Sequence, residues 1–303
     1  MRRLFRLLYS TGLRHVYASV DRLRYLKRLG RTKHRDDEWY YSDKDRAQHC
    51  GGEVLIRTTF MGAPVLFFCE PRSHVERKII NDGLYAPHIL TLMADFFQAG
   101  SIVIDIGANV GAYAVPLAKA FPDREIHAFE PHPGALCRLR RNLLLNDLAN
   151  VVIHECGAGE TKGTLTFYAG DAKDVGLSSF VRPHAMECAA LQVPVLPLDV
   201  VFGETARPVS VIKIDVQGFE AQVLAGARSV VTRCRPPIVL EHEDANFPTQ
   251  EDARAARERL RCLFSEFGYT AFYMSRYDPN MLFPVDWGGS LNGDVLALPK
   301  VVS

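Results

Sequence analysis

The stretch Ser101-Ile102-Val103-Ile104-Asp105-Ile106-Gly107-Ala108-Asn109-Val110-Gly111 constrains the fold of this chain more than any other. It begins as a run of β-branched apolar residues, the mark of a strand buried on both faces. It ends in an acid and two glycines four apart, and a helical pattern follows. A buried strand feeding a glycine turn and a helix is how a nucleotide-like ligand is held at the edge of an open α/β sheet. The dinucleotide fingerprint would read G-x-G-x-x-G. Here Gly107 and Gly111 give G-x-x-x-G, and Asn109 stands where the middle glycine would be. A pyrophosphate would feel the negative charge of Asp105, whereas a phosphate-free cation suits it. S-adenosylmethionine is such a ligand, with a sulfonium, an ammonium and one carboxylate. An ordinary buried strand with a turn glycine would also read this way.

The partner feature is Glu125-Ile126-His127-Ala128-Phe129-Glu130-Pro131, a second strand ending in Glu130 and closed by Pro131. An acid at that place can accept hydrogen bonds from both ribose hydroxyls. A solvated glutamate at a strand end is the plainer alternative. Two neighbouring strands, each ending in an acid, favour the cofactor reading.

Three stretches together resemble the FkbM-type S-adenosylmethionine-dependent methyltransferases. They are Asp105 to Gly111, Phe129-Glu130-Pro131, and Ile212-Lys213-Ile214-Asp215-Val216-Gln217-Gly218-Phe219-Glu220. The third, K-I-D-x-x-G-x-E, is the most particular to that family, and the resemblance spans roughly residues 53 to 300. It implies the Rossmann-like class I methyltransferase fold, a doubly wound α/β sheet of seven strands with the last antiparallel. It places the adenine beside the loop after the third strand, here Gly157 and Ala158. It also implies methylation of a hydroxyl on a sugar or polyketide. Two positions depart from the family pattern. Ala86-Pro87 follows Tyr85 where an acid is usual, and Gln217 stands where Glu is frequent.

The fourth strand, Val209 to Asp215, brings Lys213 and Asp215 to one sheet face, two residues apart. A lysine on a buried strand needs a partner, so pairing within the site is expected. The fifth strand ends in Glu241-His242-Glu243, the most polar end of any core strand. A hydroxyl acceptor benefits from a base that takes its proton. Asp215, His242 and Lys213 are the catalytic candidates, with Asp215 first and Glu241 and Glu243 behind. Asp215 also counts among the cofactor-binding candidates with Asp105, Gly107, Asn109, Gly111, Glu130, Pro131, Gly157 and Ala158. A divalent cation held by Asp215 with Glu241 or Glu243 is chemically possible, but no spacing demands one and no metal ligand is assigned.

Composition narrows the remaining classes. With 303 residues and 48% apolar content the chain can bury a sizeable core. Net charge is +1, so nothing points to nucleic acid. The seven cysteines are scattered, with no C-x-x-C pair, which argues against disulfide and zinc frameworks and fits a cytoplasmic setting. No apolar run reaches the ~18 residues of a membrane span. Arg6 interrupts the N-terminal apolar stretch, against a cleaved signal peptide. Residues 1 to 35 hold eleven Lys/Arg and one acid, with leucines and valines at helical spacing. Such a basic helix can lie on an anionic membrane, dock a partner, or pack on its own domain. The expected division is a basic helical extension over 1–50 and a methyltransferase domain over 51–303.

The rest of the chain yields local expectations. Residues 53 to 69 read as a hairpin around Met61-Gly62-Ala63. Pro116 should distort the first half of the helix after the glycine loop. Strands are expected near 164–168 and 192–196, with a long loop over 170–190. Asp199 reads as the N-cap of its own short helix, and Thr249 as the cap of the last one. N-methylation of a small amine and a non-catalytic binding module are the alternatives to O-methylation. The acids at 105 and 130 argue against the module.

Overall fold

The computed structural model describes residues 47–50, 53–170, 178–181, 188–274 and 281–300, with backbone alone at 47–50. The basic segment 1–35 lies outside these residues. The elements run β1 (Ala47–Cys50), β2 (Glu53–Phe60), β3 (Ala63–Cys69), α1 (His74–Asp82), α2 (Pro87–Phe96), β4 (Ile102–Ile106), α3 (Ala114–Ala120) and β5 (Glu125–Phe129). Next come α4 (Pro133–Leu145), β6 (Val151–His154), β7 (Gly157–Ala158), β8 (Gly163–Ala169), β9 (Ala189–Leu196), α5 (Leu198–Phe202) and β10 (Val209–Ile214). The chain closes with α6 (Glu220–Ala225), α7 (Arg228–Cys234), β11 (Ile238–Glu243), α8 (Gln250–Glu266), β12 (Tyr269–Met274), β13 (Leu282–Pro284) and β14 (Asn292–Pro299).

The main sheet has eight strands in the order β13-β12-β14-β11-β10-β4-β5-β6. From β11 to β6 every pairing is parallel. The last strand, β14, slots between β11 and β12 antiparallel to both. This is the expected seven-stranded methyltransferase sheet, in spatial order 3-2-1-4-5-7-6 along the chain, with short β13 added at one edge. The order reverses at β4, so the crevice above β4 and β10 is the topological switch point where open α/β sheets bind ligands.

Each face of the sheet carries a core. Val103, Val211, Val239 and Leu296 point to one side, packed with α2, α3 and the β2–β3 hairpin. Ile104, Ile212, Leu240 and Val295 point to the other, packed with α5, α6, α7 and α8. That alternation fixes which face every charged residue at the strand ends must take.

Local expectations resolve as follows. The hairpin turns on Met61 and Gly62, with φ of 50° and 83° and Phe60 paired to Ala63. Positive φ at both turn residues matches the twist of the strands. Ala47–Cys50 adds a third strand beside β2. The other edge of the hairpin is sealed by α4: Asn142 Oδ1 accepts the Phe68 N–H and Asn146 bonds both polar groups of Leu66. Helix α3 begins only at Ala114, so Pro116 sits in its first turn, where a missing N–H costs nothing. Asp199 corrects its reading, because its carboxylate accepts the Ser229 and Val230 N–H groups and so caps α7. Thr249 does cap α8, accepting the Asp252 N–H at 3.1 Å. Strands β8 and β9 pair antiparallel, and β7 joins them in a separate small sheet.

Candidate active site

The glycine loop after β4 is laced to the end of β5. Gly107 and Ala108 both donate to the Phe129 carbonyl at 3.0 Å. Asn109, at φ 52°, donates its N–H to Glu130 Oε2 at 2.8 Å. Asparagine is among the few side chains that tolerate this left-handed region, which explains its place at the middle of the loop. Gly107 has φ 79°, and a Cβ there would lie 1.9 Å from the Asp215 carbonyl. Its glycine is therefore required by the close approach of the β10 end. At Gly111 a Cβ would press on Leu139 and Val115 at 2.8 Å. That glycine serves helix packing and does not line the cavity.

A cavity of about 240 Å³ opens above this loop. Gly107, Asn109, Glu130, Pro131, Gly157, Ala158 and Asp215 all line it. Seven of the sequence candidates thus meet in one place. Glu130 is 5% exposed and also accepts the His132 N–H at 2.8 Å through Oε1. Each of its oxygens accepts one backbone N–H, and the residue lines the cavity. Burial first of all raises its carboxyl to about 7, against the pull of the His132 and Asn109 N–H groups.

Asp105 is fully buried and not itself in the cavity lining, next in sequence to Ile106, which is. Neither of its oxygens has a hydrogen-bond partner; the Ala114 N–H is near but outside bonding geometry. Burial lifts its carboxyl to about 7, with Lys213 opposing and Asp215 reinforcing the rise. Asn109 Oδ1 is a second buried acceptor without a donor. Unsatisfied buried acceptors are rare in folded proteins and ask for a ligand or water. A cationic, hydroxyl-bearing cofactor supplies what these atoms lack, so the residues present fit S-adenosylmethionine.

The other half of the site is assembled by register. Lys213 pairs across with Asp105 on β4 and with Val239 on β11. Glu241 lies two beyond Val239 and pairs with Asp294 on β14. Asp105, Lys213, Asp215, Glu241 and Asp294 therefore gather on one face from four adjacent strands. Lys213 is fully buried, 3.8 Å from Asp215 Oδ2 and 5.4 Å from the Tyr113 ring centroid. Burial alone would lower its ammonium, but Asp215, Asp294, Glu241 and Asp105 outweigh that and raise it. The Gln217 amide donates to Asp215 Oδ1 at 3.1 Å. Glu241 is pushed up to about 9, first by the Asp215 charge and then by burial.

Two catalytic candidates fall away from the cavity lining. Lys213 is a buried counter-charge beneath Asp215. His242 is also fully buried, but strand alternation turns it to the opposite face from Glu241. It stands 3.5 Å from both Glu220 and Asp244. Glu241 and Glu243 do line the cavity, with Tyr85 and Tyr113 edge to face at 5.8 Å. Asp294 and Tyr113 escaped the sequence reading. Asp294 had no local signal, and only the β11–β14 register brings it to the site. Phe167, on the strand expected near 164–168, and Phe180, from the stretch that read only as a long loop, also line the cavity, with Phe180 against Gly157. Among the described residues no group of three His, Cys, Asp or Glu is arranged to hold a metal ion, and no helix is long and apolar enough to cross a membrane.

Comparison with known proteins agrees with this geometry. The model of the methyltransferase FkbM domain matches residues 105–271, from the acid of β4 into β12 and over half of the chain. Methyltransferase 1 of Beauveria bassiana is 30% identical over 177 residues, covering 52% of this chain and 70% of that protein. The 2-O-methyltransferase NoeI of Sinorhizobium fredii is 29% identical over 148 residues, covering 44% and 60%. The 31-O-demethyl-FK506 methyltransferase FkbM of Streptomyces tacrolimicus is 27% identical over 178 residues, covering 50% and 66%. The chain thus spans less than two thirds of the length of the last two. With a domain match over this cavity and its strands, the chain belongs to the FkbM methyltransferase family.

Proposed function

We propose that this chain transfers a methyl group from S-adenosylmethionine to a hydroxyl of a sugar, glycan or related natural product. The observation that carries the cofactor is the buried, unpartnered carboxylate of Asp105 beside the laced Asn109–Glu130 pair. Two relatives whose names specify O-methyl chemistry, NoeI and the FK506 enzyme, support a hydroxyl acceptor. Bound in the cavity, the cofactor supplies an already activated methyl group on a sulfonium.

The chain's own residues then have separable roles. Glu130 receives the ribose hydroxyls, and Asp105 offers a negative charge to the cationic end. Gly157 and Ala158, with Phe180 packed on Gly157 and Phe167 packed on Phe180, form the apolar wall suited to a purine. Asp215 is engaged by Gln217 and Lys213, which leaves Glu241 as the better proton acceptor. Its affinity for a proton, set near 9, is closer to what a hydroxyl proton requires than an ordinary carboxylate's. Ionised Glu241 would take the proton that the acceptor hydroxyl gives up when it is methylated. Lys213 offsets part of the repulsion among the gathered carboxylates. Catalysis of this kind rests mainly on positioning and exclusion of water. The basic segment 1–35 is the part of the chain suited to an anionic surface or a partner.

Incubation of the full chain with methyl-labelled S-adenosylmethionine and a panel of glycans and glycosylated natural products tests the reading. A labelled methyl ether is the expected product. Label appearing only on nitrogen would refute the hydroxyl acceptor.

A further inference from the structure

Glu220 closes the K-I-D-x-x-G-x-E stretch and is 1% exposed, yet it does not line the cavity. Its Oε1 accepts the Gly218 N–H at 2.7 Å, and its Oε2 lies 3.5 Å from His242 Nδ1, a charge-range contact outside hydrogen-bond geometry. On the far side of the ring, His242 Nε2 lies 3.5 Å from Asp244 Oδ1. Asp244 is itself tied to Arg257 at 2.5 Å and to Ser290 at 2.7 Å. Phe247 covers the imidazole at 5.4 Å between centroids. The ring is thus wedged between carboxylates from two different elements.

What the wedge supports is a turn of unusual backbone. Gln217 and Gly218 are consecutive residues at positive φ, 51° and 100°. A glutamine in that region is uncommon and is held there by its surroundings. Two polar anchors do the holding. Ser179 donates its hydroxyl to the Gln217 carbonyl at 2.6 Å, and Glu220 accepts from Gly218. This turn aims Asp215 and Gln217 into the cavity, and the Asp215 carbonyl also sets the close contact at Gly107.

We infer that His242 and Glu220 form a clamp that positions the Asp215–Gly218 turn. His242 is a positioning residue that acts through Glu220, from the sheet face opposite the cavity. The clamp gives the final glutamate of K-I-D-x-x-G-x-E a physical task that the cavity lining does not.

Amide exchange at Gly218 and cofactor affinity test it on the full chain, the second readout resting on the proposed cofactor. Glu220→Ala and His242→Leu should each speed Gly218 exchange and weaken S-adenosylmethionine binding by about tenfold. Glu220→Gln, which keeps an acceptor for Gly218, and His242→Gln, which keeps a polar side chain packed beside Glu220, should stay within about threefold of the parent. The double variant Glu220→Ala/His242→Leu should be no worse than Glu220→Ala alone, because residues of one network are not additive. Additive losses, or an unchanged Gly218 amide in His242→Leu, would overturn the clamp. Since His242→Leu can lose the fold, Glu220→Ala/His242→Gln is measured beside it, and an additive loss there also overturns the clamp. A parent chain that fails to bind S-adenosylmethionine would refute the cofactor, while Gly218 exchange still judges the clamp.

Discussion

The two halves of the site, on either side of the β4–β10 seam, are built on different plans. Over β4 and β5 the chain uses local means. One glycine loop, its backbone N–H groups and two carboxylates, Asp105 and Glu130, lie within 26 residues of sequence. Over β10, β11 and β14 the site is a gathering of charges from remote segments, with Lys213, Asp215, Glu241 and Asp294 brought together by strand register. The first half is the one proposed to recognise the cofactor, by shape and by unsatisfied acceptors. The second sets proton affinities by mutual repulsion around one buried lysine. A binding plan can be carried by a short motif, whereas a proton-transfer plan needs the finished sheet.

The largest effect should come from the charged half. Glu241→Gln removes the proposed base and should lower the methyl-transfer rate by about 10²–10⁴-fold, measured with labelled cofactor. In the parent, kcat/KM should climb with pH toward an apparent value near 9, because Glu241 must lose its proton to act. That limb should vanish in the variant. An unchanged profile would move the base elsewhere and dissolve the proposed division of labour.

The binding half predicts a smaller loss. Glu130→Ala should weaken S-adenosylmethionine binding by about 1–3 kcal/mol, the range for leaving a buried polar group without its partner. Calorimetry reads this directly, and an unchanged affinity would remove Glu130 from the ribose.

Smallest in size, but opposite in sign between stability and function, is Asp105→Asn. Asp105 and Glu130 are both raised to about 7 in the folded chain. A raised carboxyl contributes stability that is complete below its unfolded value near 4. That contribution is lost as pH rises through 7. The free protein should therefore lose melting temperature between about pH 4 and pH 7. The Asn variant should flatten that slope while binding S-adenosylmethionine more weakly. A variant that keeps the parent slope would contradict the buried, unpartnered state of Asp105.

The same contrast explains what could be read from residues alone. The β4 motif, Glu130 and the hairpin were legible because each is written in a contiguous pattern of apolar alternation, glycine or a terminal acid, whereas the strand order followed only from the family resemblance. His242 was misleading for a physical reason. A strand end shows which residues are polar but not which face each takes, and the one-residue step from Glu241 to His242 crosses the sheet. Asp294 could not be found because its significance lies in a pairing with a strand fifty residues earlier. Asp199 failed differently: a helix N-cap pattern does not reveal that another helix, α7, has unsatisfied N–H groups nearby. Gly107 was expected to admit a ligand, and its tightest neighbour is the Asp215 carbonyl. Even the legible half is thus shaped by the other.

The central claim, that this cavity is a cofactor site, is tested most directly by titrating the folded full chain with S-adenosylmethionine in a calorimeter at neutral pH. One binding site per chain, weakened in Glu130→Ala and in Asp105→Asn, is the predicted result. A folded chain that shows no binding, or binding indifferent to both substitutions, would contradict it.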